Sequence, residues 1–302
     1  IEKFVNSQFD GEWFFAREEP FPEQIDTWIC SAGTQFFFAP TMINKENLIR
    51  EGYPEEFIYV VGNSVVDAIE ISRKTKPESS IFDLYPKLET GEWIRMDIHR
   101  RENLTEHRFS SILKSISYLV KNTNHKIILV MLNAMKSSLT SYQLKENLYN
   151  LAKEYPQKLI ITPLWKEYSQ VIEFLDSGHC WAEMTDSGSM QEELLYFPKV
   201  VSLTVRLNTD RPETIFNARS NILIPPINSS WIASMVEAAF NKRESLGMQL
   251  RKKNKIYGKP GEVSKNIAKI IKKEFENGDG NFYPWFHQRI DLWKEKQVLD
   301  YM

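Results

Sequence analysis

The sequence predicts an α/β protein: a Rossmann-like, doubly wound parallel sheet with an incomplete second domain at its N-terminal end. Short apolar runs alternate with longer amphipathic stretches along most of the chain. This alternation is typical of parallel strands joined by helices that cover both faces of a sheet. From Trp93 onward it continues for about 180 residues, the size of one such domain.

The elements are predicted in chain order from these patterns. The predicted strands are the short apolar runs Phe36–Phe38, Phe57–Val61, Trp93–Asp97, Lys126–Met131, Lys158–Thr162, Ala182–Thr185, Val200–Leu203 and Ile222–Ile224. The predicted helices are the amphipathic stretches Thr41–Glu51, Asn63–Lys74, Glu106–Lys121, Ser141–Glu154, Lys166–Leu175, Met190–Tyr196, Ser229–Asn241 and Glu262–Glu274. In such sheets ligands bind at the carboxyl ends of the strands, where loops enter helices.

Three segments follow from this pattern. Residues 1–65 are predicted to form a partial N-terminal Rossmann-like domain, in which two strands and the loop Glu12–Pro22 are too little for a second sheet. Residues 66–275 are the predicted C-terminal Rossmann-like domain. Residues 276–302 are rich in aromatic side chains that would form a sticky patch if exposed, so we expect them to pack on the N-terminal part or on a partner chain.

Bulk composition excludes several classes of function. The chain has 302 residues, is 42% hydrophobic and has a formal net charge of −2, which gives no overall attraction to nucleic acid or to an anionic membrane. No apolar run reaches the roughly 20 residues that span a bilayer, and no signal peptide is visible. Cys30 and Cys180 are expected to be packed, reduced thiols of a cytoplasmic protein. We expect no metal and no cofactor.

The motif with the most chemical content is Thr185–Glu193, which reads TDSGSMQEE. A strand that ends at Thr185 would enter a tight turn and then a helix whose free N–H groups point at whatever lies in front. Gly188 would let a phosphate approach the backbone closely. Glu192 and Glu193 come about a turn later, where one carboxylate could accept hydrogen bonds from ribose hydroxyls. The alternative is an ordinary capped helix, in which an Asp or Ser cap precedes Gln or Glu.

Two further loops follow predicted strands at the same edge. His99 lies in a His-Arg-Arg-Glu-Asn run after Trp93–Asp97, and it can donate to a phosphate or move a proton near neutral pH. Arg211 follows Val200–Leu203, and arginine suits bidentate recognition of phosphate. Pro212 could start a helix at its first position. The plainer interpretations are a solvated charged loop for His99 and a surface ion pair for Arg211.

A fourth candidate lies near the N-terminus. Glu23 follows Pro20-Phe21-Pro22, and an apolar setting can raise the pKa of a carboxyl toward values suited to proton transfer. The alternative is a plain loop carboxylate.

Taken together and in order, these motifs resemble the non-hydrolysing UDP-N-acetylglucosamine 2-epimerases. The resemblance covers residues 20 to 275 and rests on six stretches: Pro22-Glu23-Gln24, Phe38-Ala39-Pro40-Thr41, Gly62-Asn63-Ser64-Val65-Val66-Asp67, His99-Arg100-Arg101-Glu102-Asn103, Asp186-Ser187-Gly188-Ser189-Met190-Gln191-Glu192-Glu193 and Thr209-Asp210-Arg211-Pro212-Glu213. It implies a two-domain, glycosyltransferase-B-like fold with a truncated or divergent N-terminal domain.

The resemblance also implies an activity and the residues that carry it. Family members interconvert UDP-N-acetylglucosamine and UDP-N-acetylmannosamine by elimination and re-addition of UDP. By match of motif, the diphosphate would lie on Ser187, Gly188 and Ser189, the ribose on Glu193, and the phosphates and departing UDP on Arg211 and His99. Glu23 matches a carboxylate assigned to proton transfer, and Glu12 could stand in for a second one. These eight residues are the predicted site.

Two other functions stay open at this stage. A glycosyltransferase of the same architecture would keep the UDP-sugar and change the reaction. A non-catalytic or split protein would bind the UDP-sugar and take its missing N-terminal sheet from another chain. Because the family is commonly dimeric, the expected partners are a UDP-sugar together with either a second copy or such a partner chain.

Overall fold

The computed structural model describes residues 1–11, 23–243 and 256–277, and they form two compact units. The larger unit contains residues 1–11, 62–243 and 256–264, and the smaller contains residues 23–61 and 265–277. The domain bounds predicted at residues 65 and 275 stay predictions. Residues 278–302, and with them almost all of the predicted C-terminal extension, lie outside the described residues, as does Glu12.

The elements have the following bounds. The strands are β1 (Phe37–Ala39), β2 (Ile58–Val60), β3 (Trp93–Asp97), β4 (Lys126–Met131), β5 (Leu159–Pro163), β6 (Cys180–Thr185), β7 (Val201–Thr204) and β8 (Asn221–Leu223). The α-helices are α1 (Glu2–Asp10), α2 (Glu23–Ser31), α3 (Met42–Arg50), α4 (Val65–Lys74), α5 (Ile81–Leu84), α6 (Glu106–Asn122), α7 (Asn133–Ser141), α8 (Lys145–Glu154), α9 (Tyr168–Asp176), α10 (Gly188–Glu193), α11 (Pro212–Phe216), α12 (Ser229–Asn241) and α13 (Val263–Asn277).

The larger unit is built on a six-stranded sheet in the order β5-β4-β3-β6-β7-β8, and every neighbouring pair is parallel. Counted from β3, this is the 3-2-1-4-5-6 order of dinucleotide-binding sheets. The order reverses between β3 and β6, and in sheets of this kind ligands bind at such a switch point, outside the carboxyl ends of the strands. The predicted doubly wound parallel sheet is therefore confirmed.

Both faces of this sheet are covered, as a parallel sheet requires. All five residues of β3 are buried. Alternation sends Ile94 and Met96 to one face, where the core includes residues of α1, α6, α8 and α12. Trp93 lies on the other face with residues of α4, α5 and α9. Two cores on one sheet hold the strand ends in fixed positions, and the candidate site is built on those ends.

The N-terminal helix α1 closes the outer edge of β8 and was not predicted. The Gln8 side chain donates to the Leu223 carbonyl at 3.0 Å and accepts from the Leu223 N–H at 2.7 Å, so that it takes the place of a neighbouring strand. Asp10 pairs with Arg219 at 2.5 Å. The sequence hides this helix because only Val5, Gln8 and Phe9 are buried, which leaves a weak apolar stripe.

The smaller unit contains the parallel pair β1–β2. The expectation that two strands are too few for a sheet is wrong here. The pair forms because α3 connects the two strands and contacts both, and because Ala39 and Ile58 are buried. The Phe37 and Tyr53 rings add a contact with centroids 4.5 Å apart.

Two further expectations concerned membrane-spanning segments and the two cysteines. Within the described ranges, no helix combines the length and the apolar character needed to cross a bilayer. Neither cysteine is in a disulfide; Cys180 is buried as expected, whereas Cys30 is exposed, so the prediction of two packed thiols is wrong for Cys30.

Candidate functional site at the sheet switch point

Asp186 joins the loops that follow the two central strands. Its buried carboxylate accepts hydrogen bonds from the His99 N–H at 3.0 Å, the Arg100 N–H at 3.1 Å and the Asn103 side-chain amide at 2.9 Å. Burial raises the pKa of Asp186, and the donors of the His99 loop oppose that rise. The predicted turn residue is therefore an anchor for the β3 loop.

Asn103 extends the connection to a third strand end. Its amide also donates to the Val205 carbonyl, just after β7, at 2.7 Å. One buried side chain thus bonds to the loops after β6 and β7 while it belongs to the loop after β3. Asn103 ends the motif His99-Arg100-Arg101-Glu102-Asn103, but no role was predicted for it.

His99 lies beside this anchor with its ring partly exposed. Its Nδ1 is 3.1 Å from the Asp186 Oδ1, and the side chain is 42% exposed. The predicted phosphate donor thus lies against the Asp186 carboxylate at the switch point, with part of its ring open to solvent.

The turn after β6 has the form that the motif predicted. Ser187 caps α10 by accepting from the Met190 N–H at 3.4 Å, and its own N–H donates to the Thr185 hydroxyl at 3.0 Å. The Ser187 and Ser189 hydroxyls are 3.2 Å apart. Gly188 and Ser189 occupy the first turn of the helix, where N–H groups have no intrahelical acceptor. Hydroxyls and backbone donors thus meet at one point.

Arg211 lies directly beside that turn. A Cβ on Gly188 would be 3.7 Å from Arg211 Nη2, which places the guanidinium against the start of α10. Arg211 pairs with Glu192 at 2.6 Å and with Asp210 at 2.8 Å. Burial opposes the charge of Arg211, but these carboxylates outweigh it and raise the pKa of the guanidinium. Pro212 is the first residue of α11, which confirms the predicted helix start.

The two carboxylates of the motif turn to different partners. Glu192 pairs with Arg211, whereas Glu193 accepts a hydrogen bond from the Tyr168 hydroxyl at 2.6 Å. Burial raises the pKa of Glu193, and the hydrogen bond from Tyr168 opposes that rise. Of the two, Glu193 is the carboxylate that Arg211 does not neutralise directly.

A buried charge cluster lies beneath the turn and was missed. Arg95 on β3 bonds to Glu183 on β6 and to Asp97 at 3.0 Å, and Asp97 in turn accepts from Thr185. Burial opposes the charge of Arg95, yet Glu183 and Asp97 raise the pKa of its guanidinium. Burial raises the pKa of Glu183. The sequence contains a sign of this cluster, because Arg95 and Glu183 lie in the middle of apolar strands. Buried charges there are costly unless they are paired.

A second buried network ties α10 to the Arg211 loop. The Gln191 Oε1 accepts from the Thr209 hydroxyl at 2.6 Å and from the Asn221 amide at 2.7 Å, and its Nε2 donates to the Ser187 carbonyl at 3.1 Å. Thr209 accepts from the Arg211 N–H at 3.0 Å. Gln191 therefore joins the Ser187 turn to the loop that carries Arg211, a role that was not predicted.

Six of the eight predicted site residues thus come to one sheet edge of the larger unit; they are His99, Ser187, Gly188, Ser189, Glu193 and Arg211. Glu23 is the first residue of α2 in the smaller unit. Glu12 lies outside the described residues. The roles given to Glu23 and Glu12 stay predictions.

The strand order and the loops at the switch point define a class, the doubly wound α/β proteins, in which ligands bind at the switch point. Residues 14–272 match the family model described as UDP-N-acetylglucosamine 2-epimerase. The chain belongs to this family, as its motifs had indicated.

Curated relatives agree with the match. The chain is 31% identical over 230 residues to the UDP-N-acetylglucosamine 2-epimerase of Methanocaldococcus jannaschii, which covers 74% of this chain and 59% of the relative. It is 30% identical over 210 residues to that of Methanococcus maripaludis, with 67% and 53% covered. The chain therefore spans between half and three fifths of the length of these relatives.

Solved structures share the fold. The UDP-GlcNAc 2-epimerase of Neisseria meningitidis bound to UDP-GlcNAc gives a TM-score of 0.68 at 24% identity, over 86% of this chain and 67% of that one. The M. jannaschii enzyme in complex with UDP-GlcNAc and UDP gives 0.65 at 28% identity, over 83% and 65%. At 24% identity, the likeness to the N. meningitidis structure shows a shared fold and nothing further.

Proposed function

We propose that this chain binds a UDP-sugar at the switch point and acts as a UDP-N-acetylglucosamine 2-epimerase-like isomerase in the cytoplasm. The observation that carries the proposal is the position of Arg211 at the start of α10: a Cβ on Gly188 would be 3.7 Å from its guanidinium and 3.5 Å from the Asp210 carboxylate that pairs with it. Backbone donors, two hydroxyls and a cation meet there, and that is the set a diphosphate requires. The family match and the M. jannaschii structure with UDP-GlcNAc and UDP support the same ligand.

Each residue has a role in this proposal. Ser187, Gly188 and Ser189 hold the diphosphate, and Glu193 accepts hydrogen bonds from the ribose hydroxyls. Arg211 and His99 face the phosphates, where they stabilise the negative charge of departing UDP. Diphosphate oxygens would compete with Asp210 and Glu192 for Arg211, whose present partners lie at 2.8 and 2.6 Å.

The reaction is an elimination followed by an addition. A base removes the C2 proton of the sugar while the bond from C1 to the UDP oxygen breaks, which yields a glycal and UDP. A proton then reaches C2 from the opposite face and the UDP oxygen bonds to C1 again. Glu23 is the proposed proton-transfer group and Glu12 a second one.

Binding is tested by titration calorimetry with UDP. We expect Arg211→Ala and Glu193→Ala each to weaken UDP binding by about tenfold or more, since each removes a charge-assisted hydrogen bond to the ligand. Arg243→Ala is the matched control, because Arg243 pairs with Glu92, which precedes β3 at the end of the strand opposite the switch point. Unchanged UDP binding in the first two variants would rule out this site.

Turnover is tested with UDP-N-acetylglucosamine in deuterated water. We expect deuterium at C2 and the appearance of UDP-N-acetylmannosamine, both measured by NMR. Transfer of the sugar to an acceptor without C2 exchange would instead identify a glycosyltransferase.

One observation favours a second candidate, a chain that binds the UDP-sugar but needs a partner for turnover. The described part of the smaller unit contains a sheet of only two strands. UDP binding without C2 exchange would support this candidate. Exchange that appears only on addition of a second polypeptide would identify the partner.

A further inference from the structure

Tyr168 connects the loop after β5 to the carboxylate at the end of α10. Its hydroxyl donates to Glu193 Oε2 at 2.6 Å. Tyr168 is 40% exposed, whereas Glu193 is only 7% exposed. The tyrosine is thus the solvent-accessible member of the pair.

The backbone that carries Tyr168 is held by contacts that do not involve Glu193. Glu167 caps α9: its N–H donates to the Gln170 side chain at 3.1 Å, and its carboxylate accepts from the Glu78 N–H at 3.1 Å. Gln170 donates to the Ser79 carbonyl at 2.9 Å. Because these bonds fix the start of α9, the Tyr168 hydroxyl presents a donor at a set position.

Glu193 lies at the end of α10 with its side chain buried, whereas Tyr168 belongs to α9. A hydrogen bond that joins two different elements leaves a buried carboxylate few orientations. A ribose diol needs such an acceptor, because its two hydroxyls can donate to one carboxylate only when both oxygens lie in the right plane.

We propose that Tyr168 is a positioning residue for ribose recognition, which orients the Glu193 carboxylate toward the 2′- and 3′-hydroxyls of the nucleotide. This inference depends on the proposed function, since it takes the ribose to lie at Glu193. Tyr168 acts through Glu193, so its removal should reduce discrimination between ribose and deoxyribose and not binding in general.

The test compares UDP with 2′-deoxy-UDP by titration calorimetry. We expect wild-type protein to prefer UDP by about tenfold or more, the usual worth of a hydrogen bond to a charged group. In Tyr168→Phe the ratio should fall several-fold toward one. Tyr196→Phe is the matched control: it removes a hydroxyl that donates to the Gly258 carbonyl at 3.1 Å, and it should keep the wild-type ratio. Thermal midpoints establish that both variants are folded.

The outcomes separate the two proposals. If Tyr168→Phe weakens UDP and 2′-deoxy-UDP equally, or leaves the ratio unchanged, the positioning role is wrong while the UDP site stands. If wild-type protein binds neither nucleotide, the proposed function itself fails and this inference fails with it.

Discussion

Arg95 and Glu183 form an ion pair between the two central strands of the larger unit, with both side chains almost fully buried. Strand register sets the two residues opposite each other, and Asp97 supplies a second carboxylate to Arg95 at 3.0 Å. Asp97 accepts from Thr185, which in turn accepts from the Ser187 N–H. The pair is therefore joined by hydrogen bonds to the turn that begins α10.

Removal of the cation should be strongly destabilising. Arg95→Met leaves Glu183 and Asp97 buried without their partner, and we expect the free energy of unfolding to fall by about 3–5 kcal/mol. Urea denaturation at pH 7 measures it. The control Lys74→Met breaks an exposed pair with Glu70 and should cost about 1 kcal/mol or less. Equal losses in the two variants would contradict a special role for the buried pair.

Asn103→Ala should loosen the three loops of the site. The buried amide donates to Asp186 at 2.9 Å and to Val205 at 2.7 Å, so its loss leaves two buried acceptors short of a donor. We expect a destabilisation of about 1–3 kcal/mol and faster hydrogen exchange at the backbone amides of His99 and Arg100. Asn150→Ala, at an exposed position on α8, serves as control. Unchanged exchange at those amides would contradict the linking role.

Glu213 should make stability depend on pH. Burial raises the pKa of this carboxyl, which accepts from the Tyr257 hydroxyl at 2.8 Å. The folded state then holds the proton more tightly than the unfolded state, whose pKa is about 4.3. The contribution of Glu213 to the free energy of unfolding is fully present below the unfolded-state pKa. It is lost as pH rises through the folded-state pKa. The free energy of unfolding of Glu213→Gln, relative to that of wild type, should therefore increase as pH rises from 4 to 7.

Urea denaturation at several pH values measures that difference. Tyr257→Phe removes a hydrogen bond that favours the ionised carboxyl, so it should steepen the fall of stability with pH. A Glu213→Gln curve parallel to wild type at every pH would show that the group ionises normally.

Gln8→Ala should detach α1 from the sheet. The side chain bonds to both the N–H and the carbonyl of Leu223, at 2.7 and 3.0 Å, and within the described ranges no strand pairs with β8 on that side. We expect a loss of about 1–3 kcal/mol in thermal or urea unfolding. Ser7→Ala, at an exposed position on the same helix, should change little. Similar losses in the two variants would mean that α1 contributes nothing through Gln8.

The sequence predicted the sheet because its strands are continuous apolar runs. The strands β3 and β4 have the predicted bounds, and α12 does as well. The single helix predicted for Ser141–Glu154 was wrong in extent: α7 ends at Ser141, and Gln143 adopts a φ of 56° before α8 begins. A left-handed residue other than glycine leaves no sign in an apolar pattern.

Part of the site could also be predicted from the sequence, from the order of its strands and loops. Strand-end loops can be read from order along the chain, so His99, Ser187 and Arg211 were placed at one edge. The partners Arg95 and Glu183 are 88 residues apart, and only strand order and register bring them together. The roles of Asn103, Gln191 and Tyr168 likewise depend on contacts between elements that no local pattern records.

The seating of α1 on β8 has a consequence for handling the protein. An open strand edge is a template for pairing with other chains, and proteins suppress aggregation by covering such edges. Here a glutamine side chain occupies the hydrogen-bonding groups of Leu223. A recombinant form trimmed past residue 11 would present that edge to solvent, and self-association, seen as a rise in light scattering with concentration, would follow.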